Sequence, residues 1–154
     1  MNFTNKFILF LATGFYSGKA PFAPGTFGTG VGLIFCFLLS KASAAMIIPC
    51  LLFVIFISIP IAEKAEQLLG DKEDPGEIVI DEIVGILITL AGLPFHAMSV
   101  ILGFILFRFL DILKPFPIRF WEKKMTGGVG IVIDDVVAGI MANILLRGIL
   151  LLLS

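Results

Sequence analysis

The sequence is poor in the residues that form covalent intermediates in many hydrolases. It has one histidine, His96, and two cysteines, Cys36 and Cys50, among 154 residues. One histidine cannot form a two-histidine catalytic site, neither cysteine begins a C-x5-R loop, and no DxDx[TV] motif occurs. Covalent catalysis on histidine, cysteine or aspartate is therefore disfavoured.

Other missing sequence features disfavour further kinds of site. The cysteines have no CxxC spacing and lie in apolar runs, so we expect buried thiols and no disulfide. No GxxxxGK[ST] order occurs, which excludes a nucleotide P-loop of that type. The net charge of −1 gives no reason to expect nucleic-acid binding. His96 stands at a turn, where we expect an interfacial residue.

Charged residues are scarce and apolar residues are abundant. Hydrophobic residues make up 58% of the chain, charged residues 15%, and the mean hydropathy is +1.08. This composition predicts a membrane protein, and the length allows one domain over residues 1–154. Only Lys6 precedes the first apolar run, and a glycine-rich stretch follows it, so we expect no cleavable signal peptide.

The apolar runs predict an all-α, compact, membrane-embedded helical bundle with short helical hairpins and an interfacial active-site face. Predicted helices cover residues 3–15, 28–40, 46–69, 78–93, 97–113, 118–125 and 131–153. Residues 46–62 are apolar and long enough to cross a bilayer core. Prolines and glycines predict a shaped loop at residues 17–30, with Thr26 or Thr29 capping the next helix, and glycines predict a flexible turn at residues 127–130. Residues 118–125 are basic and contain the only tryptophan, which favours the membrane interface.

Two acid pairs interrupt the apolar pattern. Asp134 and Asp135 lie in the segment IVIDDVV, and Asp81 and Glu82 lie in the similar segment IVIDEIV. A further single acid, Asp111, also lies in an apolar run. Burying an uncompensated carboxylate is costly, which favours a divalent cation, and carboxylate oxygens suit Mg²⁺ or Mn²⁺. The alternative is that the pairs begin helices and interact with the helix dipole, which does not explain Asp111. Whether the two segments are a true repeat is left open.

Arg108, Asp111 and Lys114 follow one another at intervals of three on one helical stripe. They could form an intrahelical salt-bridge ladder, or the two cations could bind a phosphate while Asp111 binds a metal. The loop at residues 17–30 adds Lys19, Thr26 and several glycines, and it could bind an anion or serve as a rigid turn. With covalent routes disfavoured, metal-activated water remains.

The position of the acids decides the topology. Residues 82–107 could be one span, but Asp81 and Asp111 would then lie roughly 40 Å apart. A shared site requires a hairpin that turns at residues 93–97. The loops at residues 17–27, 70–77, 114–117 and 126–130 then lie on one face, and the turns at residues 41–45 and 93–97 lie on the other. Most cations belong to the first face, which the positive-inside rule assigns to the cytoplasm.

Four segments, SGKAPFAPGTFGT, DPGEIVIDEIVG, FRFLDILKPFPI and GGVGIVIDDVVAG, resemble the motifs of the phosphatidylglycerophosphatase A family. They run from Ser17 to Gly139 and depart from the family pattern at Thr29, usually serine, and Phe116, often tryptophan. The resemblance implies an all-helical, Mg²⁺-dependent enzyme of the bacterial inner membrane. Such an enzyme hydrolyses phosphatidylglycerol phosphate to phosphatidylglycerol.

We therefore predict a multi-pass lipid phosphatase whose active site faces the cytoplasm and whose partner is a phospholipid substrate. The predicted metal and catalytic residues are acidic, with Glu82 or Asp135 as the candidate base: Asp81, Glu82, Asp111, Asp134 and Asp135. The predicted substrate-binding residues are Lys19, Thr26, Arg108 and Lys114. The alternatives are a small transporter or channel subunit with an acid-lined cation path, and a structural bundle with buried ion pairs. The oligomeric state is not predicted.

Overall fold

The structure is a computed structural model that describes residues 1–70 and 75–153, without the side chain of residue 122. Of the predicted loop at residues 70–77, residues 71–74, with Lys72, lie outside the described residues. The described residues form seven α-helices and one 3-10 turn. In chain order these are α1 (Phe3–Ala12), the 3-10 turn (Ser17–Lys19), α2 (Pro24–Leu39), α3 (Ala44–Leu68), α4 (Ile80–Leu90), α5 (Ala97–Leu113), α6 (Ile118–Lys124) and α7 (Gly127–Leu153). The prediction of an all-α bundle is confirmed.

The short helix α4 lies at the centre of the bundle. It packs against α2, α3, α5 and α7, and ten of its eleven residues are buried. The exception is Glu82, which is partly accessible. A helix that is apolar around its whole circumference is expected in such a central position.

Helices α4 and α7 run parallel and approach each other through glycines. A Cβ on Gly139 would lie 2.6 Å from the carbonyl oxygen of Gly85, and a Cβ on Gly85 would lie 3.1 Å from that of Asp135. Small residues at a helix contact let the two backbones come close. This close approach brings the acid pairs of the two helices to the same end of the bundle.

Helices α4 and α5 form the predicted hairpin. Gly103 of α5 faces Leu90 near the turn, and Phe107 faces Gly85 one turn deeper, as expected for antiparallel helices. His96 begins α5, because its Nδ1 accepts a hydrogen bond from the backbone N–H of Ser99 at 3.2 Å. The continuous span considered for residues 82–107 is therefore wrong.

The first helix is shorter than predicted. It ends at Ala12, whereas the apolar pattern extends to Phe15. Gly14, Phe15 and Tyr16 have positive φ angles, which an α-helix cannot contain. The chain therefore leaves α1 before the apolar run ends.

The second helix begins earlier than predicted. It starts at Pro24 and not near residue 28, because proline is well suited to the first helical position, where no N–H partner is needed. Neither threonine is the N-cap, which is Ala23. Thr26 lies in the first turn, and the Thr29 hydroxyl donates to the carbonyl of Gly25 at 2.7 Å. Residues 24–27 are thus helical and not part of a loop.

The last helix also begins earlier. It starts at Gly127, so the predicted flexible turn at residues 127–130 is the first turn of α7. The Glu63 carboxylate of α3 accepts a hydrogen bond from the backbone N–H of Gly128, which satisfies a free donor at the helix start. As a result Asp134 and Asp135 lie two turns inside α7.

Helices α3 and α7 are long enough to cross a membrane. They have 25 and 27 residues, and only 11% and 22% of their most apolar stretches are buried inside the bundle. A core helix of a soluble protein would be buried, whereas these helices expose their apolar side chains. The surface also carries many large exposed hydrophobic residues from the other helices. The chain is therefore a membrane protein with two candidate membrane-spanning helices.

The two ends of the bundle differ in composition. We name the acid end as the end that holds the first turns of α2 and α4, the last turn of α5 and residues 127–135 of α7. The opposite end holds the turns at residues 40–43 and 91–96, which line a common cavity with α2 and α3. This arrangement agrees with the predicted alternation of the loops.

Cysteine labelling tests this arrangement, in a background where both native cysteines are replaced by alanine. We expect cysteines at Gly76 and Lys124 to react with an impermeant maleimide from one side of the membrane. Cysteines at Lys41 and Pro94 should react from the other side. Labelling of Gly76 and Lys124 from opposite sides would show that the hairpin topology is wrong.

Candidate active site

Ionisable side chains from three helices converge at the acid end. The side chains come from the first turn of α4, the last turn of α5 and the third turn of α7. These turns lie together because α4 packs parallel to α7 and antiparallel to α5. The side chains are Asp81, Glu82, Arg108, Asp111, Lys114, Asp134 and Asp135. Sequence reasoning predicted all seven residues.

Three of these carboxylates form the tightest group. Asp81, Glu82 and Asp135 each offer an oxygen, and the three oxygens lie within 4.8 Å of one another. Asp81 and Asp135 are buried, and Glu82 is partly accessible. Three carboxylate oxygens at this spacing could hold a metal ion, and such hard ligands suit Mg²⁺, Mn²⁺ or Ca²⁺ better than softer metals.

The hydrogen bonding of the group supports this interpretation. Within the described part of the chain, Glu82 Oε2 and Asp135 Oδ2 are buried without a hydrogen-bond partner. Buried carboxylate oxygens normally have partners, because desolvation without one is costly. The donor set and its unsatisfied oxygens therefore fit a bound divalent cation.

Asp111 belongs to a second part of the cluster. Its Oδ2 accepts a hydrogen bond from Arg108 Nη1 at 2.5 Å, one turn earlier on α5. The same guanidinium nitrogen lies 3.6 Å from Glu82 Oε1 on α4. Arg108 thus joins α5 to α4, and the first step of the predicted salt-bridge ladder is present.

Asp134 pairs with a cation from outside its own helix. Lys114 Nζ donates to Asp134 Oδ2 at 2.7 Å. Lys114 follows the last turn of α5 and has a left-handed backbone, with φ of 45°, which ends the helix and redirects the chain. The pair therefore connects the end of α5 to α7.

Negative charge exceeds positive charge in this cluster. Five carboxylates share the site with the two cations Arg108 and Lys114. Burial raises the pKa of the Glu82 carboxyl, and the Asp111 carboxylate acts in the same sense, while a hydrogen bond with Asp81 and the Arg108 guanidinium oppose the shift. Helix α4, which carries Glu82, is too short to span the membrane. A bound cation would favour the ionised carboxylates.

The first turn of α2 covers one side of the cluster. Gly25 is buried there, and a Cβ at this position would collide with the Glu82 carboxylate and the Arg108 guanidinium. Gly28, one turn later, packs against Val79 just before α4. Sequence reasoning did not single out Gly25, although it recognised that the glycines of this segment permit close backbone approach.

Two predicted substrate-binding residues lie near this turn. Lys19 is exposed, and its Nζ lies 5.0 Å from the centroid of the Tyr16 ring. Thr26 is half-buried in the first turn of α2. Their roles in substrate binding stay predictions.

Glu63 is a residue at the acid end that sequence reasoning missed. It lies in the polar extension of α3 and caps α7 two turns below the acid pair. Its partner is 65 positions away, so sequence spacing contains no signal for the contact.

Comparisons with known proteins show which family the chain belongs to. A model of the Phosphatidylglycerophosphatase A family matches residues 10–150. The chain is 38% identical over 133 residues to the phosphatidylglycerophosphatase A of Escherichia coli, covering 86% of this chain and 77% of that protein. It is 43% identical over 136 residues to the phosphatidylglycerophosphatase A of Haemophilus influenzae, covering 87% and 83%.

A third relative has a different name. A protein of Bacteroides thetaiotaomicron, named as a putative phosphatidylinositol-3-phosphatase, is 40% identical over 144 residues, covering 88% of this chain and 89% of that protein. No solved structure matches the chain. The resemblance seen in the four sequence motifs is confirmed. The chain belongs to the phosphatidylglycerophosphatase A family and is a phosphatase that hydrolyses phosphomonoesters.

Proposed function

We propose that the protein is a Mg²⁺-dependent lipid phosphatase that hydrolyses phosphatidylglycerol phosphate to phosphatidylglycerol and phosphate. The observation that carries this proposal is the convergence of Asp81, Glu82 and Asp135 beside two cationic side chains at one end of an apolar bundle. The names of the Escherichia coli and Haemophilus influenzae relatives support the substrate.

The surroundings of the acid end suit a lipid substrate. Large apolar side chains are exposed next to the cluster, among them Phe22, Phe27, Ile112 and Phe116. A lipid phosphate could reach the cluster while its acyl chains stay against these side chains. This placement explains why the site lies at the end of the bundle and not in its middle.

Asp81, Glu82 and Asp135 would hold the metal, and Asp111 and Asp134 would act as further ligands or orient the first three. Bound Mg²⁺ would supply Lewis-acid charge that polarises the phosphoryl group and makes water a better nucleophile. A carboxylate oxygen of Glu82 or Asp135 that does not bind the metal would accept the proton of the attacking water. The limited access to Asp81 and Asp135 would keep bulk water from competing for these contacts.

The cationic side chains would bind the phosphate. Arg108 lies where α4, α5 and the first turn of α2 meet, and its planar guanidinium suits two phosphate oxygens. The positive end of the α2 dipole would add to this attraction. Lys114, Lys19 and the Thr26 hydroxyl would bind the remaining phosphate or glycerol oxygens.

We further propose that the acid end faces the cytoplasm of a bacterial inner membrane. The cations of the acid end include Lys19, Lys114 and the exposed residues Arg119, Lys123 and Lys124 on or next to α6. The opposite end has Lys41, and Arg147 lies near it on α7. The positive-inside rule assigns the end with more cations to the cytoplasm.

Two other functions are less well supported. A cation path would require acids spread through the depth of the membrane, whereas the five acids lie together at one end. The Bacteroides thetaiotaomicron relative raises a closer alternative, in which the substrate is a phosphoinositide. An assay of phosphate release from several substrates distinguishes both alternatives from the proposed function.

The assay measures phosphate release by purified protein from phosphatidylglycerol phosphate, phosphatidylinositol 3-phosphate, phosphatidic acid and glycerol 3-phosphate. We expect the highest kcat/KM with phosphatidylglycerol phosphate, because its glycerol phosphate is the headgroup the cluster would accommodate. Activity should disappear with a chelator and return with added Mg²⁺. A preference for the phosphoinositide would contradict the proposed substrate, and full activity in chelator would contradict the metal.

Substitution of the acids tests their assignment. Asp135→Asn and Asp134→Asn keep the side-chain shape and remove the charge, so both should lower phosphate release by about 100-fold or more. Circular dichroism should show an intact helical fold. Glu77→Gln is the matched control, because Glu77 is an exposed acid just before α4, and its activity should stay near wild type. Wild-type turnover in Asp134→Asn would show that the Asp134 carboxylate is not required for catalysis.

Gly25 offers a steric test of the close approach between α2 and the cluster. Gly25→Ala should lower kcat by about tenfold or more, because its methyl group would displace Glu82 or Arg108 and misplaced catalytic groups are costly. Gly30→Ala is the matched control in the same helix, since a Cβ there meets open space. Equal activity of the two variants would show that the contact at Gly25 is not required.

A further inference from the structure

The carboxyl end of α4 is held by two side chains of α7. Asn143 Nδ2 lies 3.1 Å from the carbonyl oxygen of Ile88, 2.8 Å from that of Thr89 and 3.1 Å from that of Ala91. Arg147 Nη2 donates to the same Ala91 oxygen at 2.9 Å. We name these two side chains and their three acceptors the α4 clamp.

The clamp is itself a connected unit. Arg147 Nε donates to Asn143 Oδ1 at 2.8 Å, one turn earlier on α7. This bond fixes the orientation of the Asn143 amide, so that its NH₂ group faces the carbonyls. An amide held in this way can satisfy carbonyls that have no partner within α4.

Other polar contacts of α4 go to other helices: Glu82 pairs with Arg108 of α5 at 3.6 Å, and the Cys36 thiol of α2 donates to the Ile86 carbonyl oxygen at 3.5 Å. Neither end is capped by a side chain of its own, and the backbone N–H of Val79 donates to Ala12 at the start. At Gly85 and Gly139 neither helix has a side chain that could interlock with the other, so these two positions do not themselves fix the register of α4 against α7. The clamp is therefore well placed to fix the axial register of α4 against α7.

That register matters at the other end of α4. Asp81 lies ten residues before Ala91, a distance of about 15 Å along the helix. Because α4 is one buried helix, an axial shift at Ala91 is transmitted to Asp81 and Glu82. The same shift leaves Asp135 in place on α7, so the spacing of the three carboxylates changes.

We propose that Asn143 and Arg147 are positioning residues that set the spacing of Asp81 and Glu82 against Asp135, and hence the affinity of the site for a divalent cation. This inference rests on the proposed function, in which these carboxylates hold the metal. It gives Asn143 and Arg147 a role in the reaction although they lie at the opposite end of the bundle from the acids. A residue that only caps α4 would change stability and leave the affinity for metal unchanged.

The test uses purified full-length protein in detergent, freed of metal with a chelator. Thermal unfolding is followed by the fluorescence of Trp121, the only tryptophan, while MgCl₂ or MnCl₂ is titrated. A ligand that binds the folded state raises the unfolding temperature according to its Kd, so the titration midpoint reports affinity without turnover.

Three variants are compared with wild type. Asn143→Asp replaces the donating NH₂ group with an oxygen that faces three carbonyl oxygens. Arg147→Ala is a milder change at an exposed position, in case the first variant does not fold. Leu146→Ala is the matched control, because Leu146 is fully buried between the two clamp residues on α7 and its truncation destabilises by loss of packing.

We expect Asn143→Asp to raise the metal midpoint about tenfold, which is the low end of what removal of an orienting partner costs a metal site. Arg147→Ala should raise it by a smaller factor. Leu146→Ala should lower the unfolding temperature in chelator and keep the wild-type midpoint.

Wild-type midpoints in both clamp variants would overturn the inference, and so would an equal change in Leu146→Ala. If wild type itself shows no stabilisation by Mg²⁺ or Mn²⁺, the metal site of the proposed function fails, and this inference fails with it. The two failures are thus distinguished by the wild-type titration.

Discussion

The structure depends on the burial of excess negative charge at one end of an apolar bundle. Asp81, Glu82, Asp111, Asp134 and Asp135 are acidic, and Arg108 and Lys114 balance part of their charge. Like charges at close range destabilise one another, and removal from water adds to this cost. A further cation bound among these carboxylates would offset this cost. A metal ion in that position would also be placed to take part in a reaction.

The central position of α4 follows from this constraint. Its length of eleven residues lets the first turn reach the acid end while the rest is surrounded by protein, whereas α3 and α7 are long enough to cross the membrane. A short helix surrounded by protein must still satisfy its terminal carbonyls, because a buried carbonyl without a partner is costly. Helix α7 packs closely against α4 at Gly139, and its Asn143 amide donates to the terminal carbonyls of α4.

Much of the fold and the site was predictable, for identifiable physical reasons. The bounds of α5 agree with the prediction at both ends, because Pro94 and Pro115 lie just outside it and proline disfavours the interior of a helix. The hairpin followed from the requirement that Asp81 and Asp111 meet. Burial of charge in an apolar run is a local signal, and it was sufficient to single out the five acids that the structure brings together at the acid end.

The features that could not be predicted depend on contacts between distant parts of the chain. Glycines at residues 127–130 are typical of a flexible turn, but Glu63 of α3 caps the helix that begins there. At residue 24 the local signal was ambiguous, because proline is typical of a loop and also suits the first helical position, where α2 begins. The close contact of Gly25 with Glu82 and Arg108 involves residues far away in sequence, which sequence spacing does not reveal.

The similarity between IVIDEIV and IVIDDVV has a structural explanation. The first acid pair lies in the first turn of α4, where an anion interacts favourably with the helix dipole, but the second lies two turns inside α7, where it does not. A shared position at a helix start therefore cannot account for both. The two acid pairs lie at the same level of the bundle. This follows because α4 and α7 run parallel and are in contact at Gly85 and Gly139. In each segment aliphatic residues flank the acid pair on both sides, and packing of a core at that level favours such a pattern.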